Sequence, residues 1–143
     1  MLSACAPAGE PHASFMAGDY AAAFKSFAQR ADTGDPTASN FMGIHYYLGL
    51  GVERDLAQAA NWFERAATAA NSDAQRNLGM LYLRGLGVPR DNLRAYAWLY
   101  AAAQAGNQRA RAYLESAEYL ITPNQMIQAR AWVTERLRQG RTR

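Results

Sequence analysis

The sequence predicts an all-α fold, a solenoid of antiparallel helix pairs, on two observations. The first is an internal period. Gly49–Asp55 reads GLGVERD and returns 36 residues later at Gly85–Asp91 as GLGVPRD, and a period of roughly 20 to 50 residues marks an array of stacked units. The match runs beyond the loop: Ala38, Met42, Gly43 and Tyr46 fall on Ala74, Leu78, Gly79 and Tyr82, and Ala59, Trp62, Phe63, Ala66 and Ala67 fall on Ala95, Trp98, Leu99, Ala102 and Ala103. The second observation is the spacing inside a unit. Ala38, Phe41, Met42, His45 and Tyr46 follow the i, i+3, i+4 rhythm of a helix face, as do Leu56, Ala59, Ala60, Phe63 and Ala67, and no segment alternates as a half-buried strand would.

The elements follow in order. Residues 1–16 hold Pro, Gly and Ala without a helical period and are expected to form a poorly packed leader or tether, ahead of a single domain over 17–143. Asp19, Ala23, Phe27, Ala31 and Gly34 match the second half of a unit, so 18–35 is a half repeat with one helix at about 19–33. A full repeat over 36–71 carries helices at about 36–48 and 55–70, and a second over 72–107 carries them at about 72–84 and 91–105. Asp35, Asn71 and Asn107 precede the first helix of each pair, and Asp55 and Asp91 the second. There a short polar side chain accepts from free backbone N–H groups. Pro36 suits a first helical position. Gly49 and Gly51, with Gly85 and Gly87, let the chain turn back, and Val52 and Val88 can bury a branched group beneath the turn.

From residue 108 the pattern decays. Glu115 stands where Gly43 and Gly79 stood, Glu118 replaces the Tyr, and no glycine loop follows Leu120. Helices at about 108–120 and 123–138, the latter opened by the capping-box sequence Thr122-Pro123-Asn124-Gln125, make a degenerate unit over 108–143. Charges in packing positions cannot receive another identical neighbour, so this unit is expected to cap the array. The total is seven helices. Gly43 and Gly79 fall mid-helix, where Gly costs about 1 kcal/mol relative to Ala; close approach of the paired helix would offset that. Trp62 and Trp98, flanked by alanines, are expected to be deeply buried knobs between successive hairpins.

Composition narrows the function classes. The 143 residues are half hydrophobic, enough for a continuous core, and carry a net charge of +3 from 15 basic and 12 acidic residues, too mild to argue for nucleic acid. The Arg-rich end RLRQGRTR reads as a solvated terminus. No apolar run is long enough to cross a membrane.

The units Ala38…Met42-Gly43…Tyr46…Gly49-Leu50-Gly51-Val52…Asp55…Ala59…Trp62…Ala66-Ala67, repeated from Ala74 to Ala103, resemble Sel1-like repeats, relatives of the tetratricopeptide repeat. The resemblance covers residues 36–108 well and 18–35 moderately. It implies a right-handed superhelix and an adaptor that holds a protein or peptide on a curved helical surface. The first helix of each pair would line the concave side. Its positions not used for hairpin packing are Asn40, Ile44, Tyr47 and Leu48, then Arg76, Met80, Leu83 and Arg84, then Ala112, Ser116 and Tyr119. Asn40, Ile44, Tyr47, Arg76, Met80, Leu83, Arg84 and Tyr119 are the candidate binding residues, suited to a segment with aliphatic anchors and an acidic group. The alternative for Ile44, Met80 and Leu83 is half-buried packing, with the arginines a solvated rim.

Catalytic signals are absent from the sequence. The two histidines are His12, in the leader, and His45, on a core face. No His or Cys cluster has metal spacing, and no cofactor motif is present. Asp55 and Asp91 recur with the repeat, so they are caps. Some Sel1-like proteins are linked to β-lactam binding or hydrolysis, but no serine or metal hydrolase motif occurs here. A third class is a structural or assembly component of a bacterial envelope complex. The letters Leu2–Cys5, LSAC, resemble a lipobox, in which Cys5 would be lipidated, followed by the tether APAGEPHA. A genuine lipobox, behind an export signal supplied further upstream, places the protein in the periplasm or envelope, anchored by lipid; otherwise the cytoplasm is expected.

Overall fold

The computed structural model describes residues 10–142, and among them every regular element is an α-helix. These are α1 (Pro11–Met16), α2 (Tyr20–Asp32), α3 (Pro36–Leu48), α4 (Leu56–Thr68), α5 (Ser72–Arg84), α6 (Asn92–Gln104), α7 (Gln108–Glu118) and α8 (Pro123–Gly140). The seven expected helices are α2 to α8. The side chains of Asp19, Asp35, Asp55, Asn71, Asp91 and Asn107 each accept a backbone N–H in the first turn of the helix that follows, and Thr122 with Gln125 forms the full capping box.

Successive helices from α1 to α7 pack on one another, and α3, α5 and α7 form an inner layer backed by α2, α4 and α6. The small residues set that spacing. A Cβ on Gly43 would enter the Phe63 ring, and one on Gly79 would lie 2.7 Å from Leu99 Cγ. Either would push the paired helix away. The repeated loop closes with the same bonds in both copies: Asp55 N–H donates to Tyr46 O and Asp91 N–H to Tyr82 O, each at 3.0 Å. Its second glycine has φ of +67° at Gly51 and +71° at Gly87. A Cβ there would collide with the backbone of Tyr20 or of Leu56, so the loop of one unit rests on the first turn of the outer helix of the unit before it.

Three expectations change. The leader is not wholly unpacked. Residues 1–9 lie outside the described residues, but Pro11 is buried, Phe15 meets Phe41 and His45 edge-on at 5.3 and 5.5 Å, and His12 meets Phe27 and Phe41 at 5.2 and 4.7 Å. The short six-residue helix opened by Pro11 covers the aromatic end of α2 and α3.

The final helix also departs from the pattern. α8 packs chiefly on α6 and reaches α4. Trp132 meets Trp98 edge-on at 5.7 Å, Arg130 Nε donates to Tyr96 Oη at 2.7 Å, and Arg136 pairs with Glu64 at 2.9 Å. Thus α8 covers the outer layer at α6 and α4 and does not pair with α7, where Glu115 and Glu118 stand in place of the glycine and tyrosine of the earlier units. The two tryptophans are consequently not equivalent. Trp98 is fully buried beneath α8, whereas Trp62 is half-buried, with the Arg65 guanidinium 5.2 Å from its ring centroid.

Candidate binding groove

The inner layer is built from positions that recur every 36 residues, so side chains in the same phase of α3, α5 and α7 line up across it. Positions 44 and 80 supply Ile and Met, 48 and 84 supply Leu and Arg, and 76 and 112 supply Arg and Ala. Between them lies a groove of about 610 Å³, floored by Ile44, Met80 and Leu81 with Phe63 beneath, and walled by Tyr47, Leu48, Leu86 and Tyr113.

Five of the eight candidate residues line this groove: Ile44, Tyr47, Arg76, Met80 and Arg84. The other three lie elsewhere. Asn40 is buried, and its Oδ1 accepts from Asn77 Nδ2 at 3.1 Å, tying α3 to α5. Leu83 is half-buried against the main core, and Tyr119 ends α7 with 92% of its surface exposed. The sequence reading did not include Asn77, Arg109 and Tyr113, which also line the groove. Tyr113 and Asn77 share the phase of Phe41, a residue with the spacing of a core face. Phe41 stacks on Phe27 at 4.4 Å, near the N-terminal end, while the same phase further along turns to the groove. Arg109 shares the phase of Asp73, a first-turn position that periodicity does not assign to any face.

The charge on the groove is one-sided. No lining residue is acidic. Arg76 lies 3.6 Å from Asp73 and donates to Asn77 Oδ1 at 3.0 Å. Among the described residues, neither Arg84 nor Arg109 has a carboxylate within 4.0 Å. Arg54 is a different case: its Nε donates to Tyr47 O at 3.0 Å and its guanidinium sits over the Tyr47 ring, so it props the wall from behind. A second hollow of about 480 Å³ between α4, α6 and α8 contains the Glu64–Arg136 pair and so satisfies its own charges.

His45 is a packed side chain. It is fully buried, its ring nitrogen Nδ1 lies 2.6 Å from Leu50 O in the glycine loop, and Nε2 has no partner. A neutral ring donating from Nδ1 satisfies that carbonyl. Burial pushes the His45 pKa down, with the bond to Leu50 opposing. Cys5 lies outside the described residues. Among the described residues no group of three His, Cys, Asp or Glu side chains is placed to hold a metal, and no helix is long and apolar enough to cross a membrane.

A family model for the Sel1 repeat matches residues 36–71 and 72–107. A search of curated proteins finds no match. Among solved structures, the chain is similar to a protective antigen of uropathogenic Escherichia coli displaying an SLR fold, with a TM-score of 0.83 and 29% identity over 90% of this chain and 28% of that one. It is also similar to a Sel1 repeat protein from Oxalobacter formigenes, with a TM-score of 0.67 and 37% identity over 77% of this chain and 35% of that one. The chain thus spans about a third or less of each of these proteins. The two matched units, residues 36–71 and 72–107, make up half of the sequence, and the chain belongs to the Sel1 repeat family.

Proposed function

We propose that the protein is a non-catalytic scaffold that holds a segment of a partner protein in the groove between α3, α5 and α7. The observation that carries this reading is an apolar floor beside three arginines, two of which, Arg84 and Arg109, have no carboxylate within 4.0 Å among the described residues. Burying aliphatic side chains supplies affinity there, and an unpaired guanidinium supplies selection for an acidic group. Among the described residues that line the groove there is no imidazole, thiol, carboxylate or serine side chain, in keeping with a binding role. Turnover of a chromogenic β-lactam would contradict it.

The test is capture of partners from a host lysate by the immobilised protein. Met80→Arg, which fills the floor with charge, and Arg84→Glu are each expected to weaken the captured partner at least tenfold, about 1.4 kcal/mol. Lys25→Glu, on the exposed side of α2, is the control. Equal capture by all four proteins would remove the groove from the reading. If Leu2–Cys5 is a genuine lipobox, the scaffold would be tethered in the bacterial envelope through Cys5. Fatty-acid labelling of the protein in its host checks this, and an unlabelled Cys5 would remove the lipid anchor from the reading.

A role as an assembly component is a second reading, favoured by Tyr119, Leu120 and Ile127, large apolar side chains exposed near the turn from α7 to α8. Sedimentation that is constant over about a hundredfold dilution would oppose self-assembly.

A further inference from the structure

The arginines stand at the two ends of the groove. Arg84 is exposed in the last turn of α5. Arg76, near the start of α5, and Arg109, near the start of α7, close the other end. There Asp73 accepts from Asn107 Nδ2 at 3.0 Å and lies 3.6 Å from Arg76, leaving one positive charge in excess. The floor between the ends is apolar, chiefly Met80 and Ile44. Arg76 and Arg84 are eight residues apart on one helix, and a rise of about 1.5 Å per residue separates them by about 12 Å.

That axial spacing suits an extended ligand. An extended chain advances about 3.3 Å per residue, so residues i and i+4 are about 13 Å apart, and i, i+2 and i+4 all point to one side. A helix would need about eight residues to span the same distance. That is twice the chain an extended segment uses, so the extended segment is the shorter solution. A nucleic-acid strand would bring phosphates to the apolar floor, which offers them no donor.

We propose that the groove takes an extended acidic segment of a partner protein with two carboxylates four residues apart and an aliphatic residue midway: Asp or Glu, any residue, aliphatic, any residue, Asp or Glu. The aliphatic side chain sits on Met80 and Ile44, and the carboxylates reach Arg84 at one end and Arg76 with Arg109 at the other. This rests on the groove being the binding site, as proposed above, and adds the chemistry and spacing of the occupant.

The probe is the labelled peptide Gly-Glu-Ala-Leu-Ala-Glu-Gly, measured by fluorescence anisotropy against the full chain at low salt. Saturable binding with Kd below about 1 mM is expected. Replacing either Glu by Ala, or moving one Glu to a neighbouring position, should weaken binding at least fivefold. Arg84→Glu should abolish it, and a peptide with one Glu changed to Arg should recover binding to that variant. No saturable binding, equal binding by all spacings, or tighter binding of a short oligothymidine would overturn the proposal. If Met80→Arg still reduces capture of the lysate partner in that case, the groove stands and only its ligand chemistry is wrong. If Met80→Arg leaves capture unchanged, the groove itself is wrong.

Discussion

Replacing Trp98 by Ala tests how the chain end and the repeat depend on one another. Trp98 is fully buried within α6, with Trp132 of α8 at its edge. Removing a large buried aromatic costs about 3–5 kcal/mol. The unfolding entropy of a globular protein, about 2.1 cal/mol/K per residue, comes to roughly 0.3 kcal/mol/K for this chain length, so melting should fall by about 10–17 °C. Trp62→Ala should cost about half as much, because that ring is half-buried and no part of α8 stacks on it. Trp98→Ala combined with Trp132→Ala should cost less than the two separately, by about 0.5–1.5 kcal/mol, the worth of one aromatic edge contact. Thermal and urea unfolding followed by far-ultraviolet circular dichroism gives all three values. A Trp98→Ala protein that melts within about 1 °C of the parent, or a Trp62→Ala protein that is hurt more, would refute the role assigned to α8.

Two further substitutions probe single turns. His45 is held neutral by burial, so its pKa in the folded protein lies below the ordinary value of about 6.5. As pH falls through that value the unfolded chain takes up the proton first. The stability present above about pH 6.5 is therefore lost on acidification, at up to about 1.4 kcal/mol per pH unit. His45→Leu, the residue that position 81 uses, should flatten urea midpoints between about pH 7.5 and 5.5; an unchanged slope would mean that the ring is solvated. Ala70 has φ of +65°, in a turn where the matching Gly34 and Gly106 have +91° and +89°. Ala70→Gly should relieve about 1–2 kcal/mol of left-handed strain and lose about 0.4–1 kcal/mol to unfolded-state entropy, a net gain of about 0.5 kcal/mol by urea unfolding. A loss would show that this turn tolerates its Cβ.

Much of the fold was legible because each repeat writes its local geometry as residue type. The Asp and Asn caps, the loop glycines and the mid-helix Gly43 and Gly79 are each demanded by one backbone position, and two copies in register separate that demand from chance. What could not be read lies where the period stops. α1 has only six residues, too short for periodicity, and it packs on Phe27, Phe41 and His45 through His12 and Phe15. The packing of α8 on α6 and α4 depends on a pairing between Trp132 and Trp98 that no local spacing encodes. Phase does bring Ile44, Met80 and Arg84 to the lining of one groove. Phase failed at Asn40, where a neighbouring amide at Asn77 turned a candidate contact into a strut, and at Tyr119, where α7 ends.

The residues that recur in both copies are the ones that hold the solenoid together, so a binding role has to be sought where the copies differ. Ala38 and Ala74, Gly43 and Gly79, and Asp55 and Asp91 are the same because the same joint is made twice. Position 76 carries Arg where 40 carries Asn and 112 carries Ala, and position 84 carries Arg where 48 and 120 carry Leu. Arg76 is partly buried, pairs with Asp73 and donates to Asn77, whereas Arg84 makes no such contact among the described residues. Arg84 is exposed and has no carboxylate within 4.0 Å among the described residues, so its removal should leave the melting temperature nearly unchanged. The apolar member at 48 instead extends the groove wall. The departure of the central unit from its neighbours thus gathers positive charge at both ends of an otherwise apolar groove. His45 is the contrasting case: it also differs from its counterpart Leu81, but the bond from its ring to Leu50 accounts for the difference structurally. No such internal partner accounts for Arg84. A charge that the fold neither needs nor neutralises is the feature on which the ligand proposal turns.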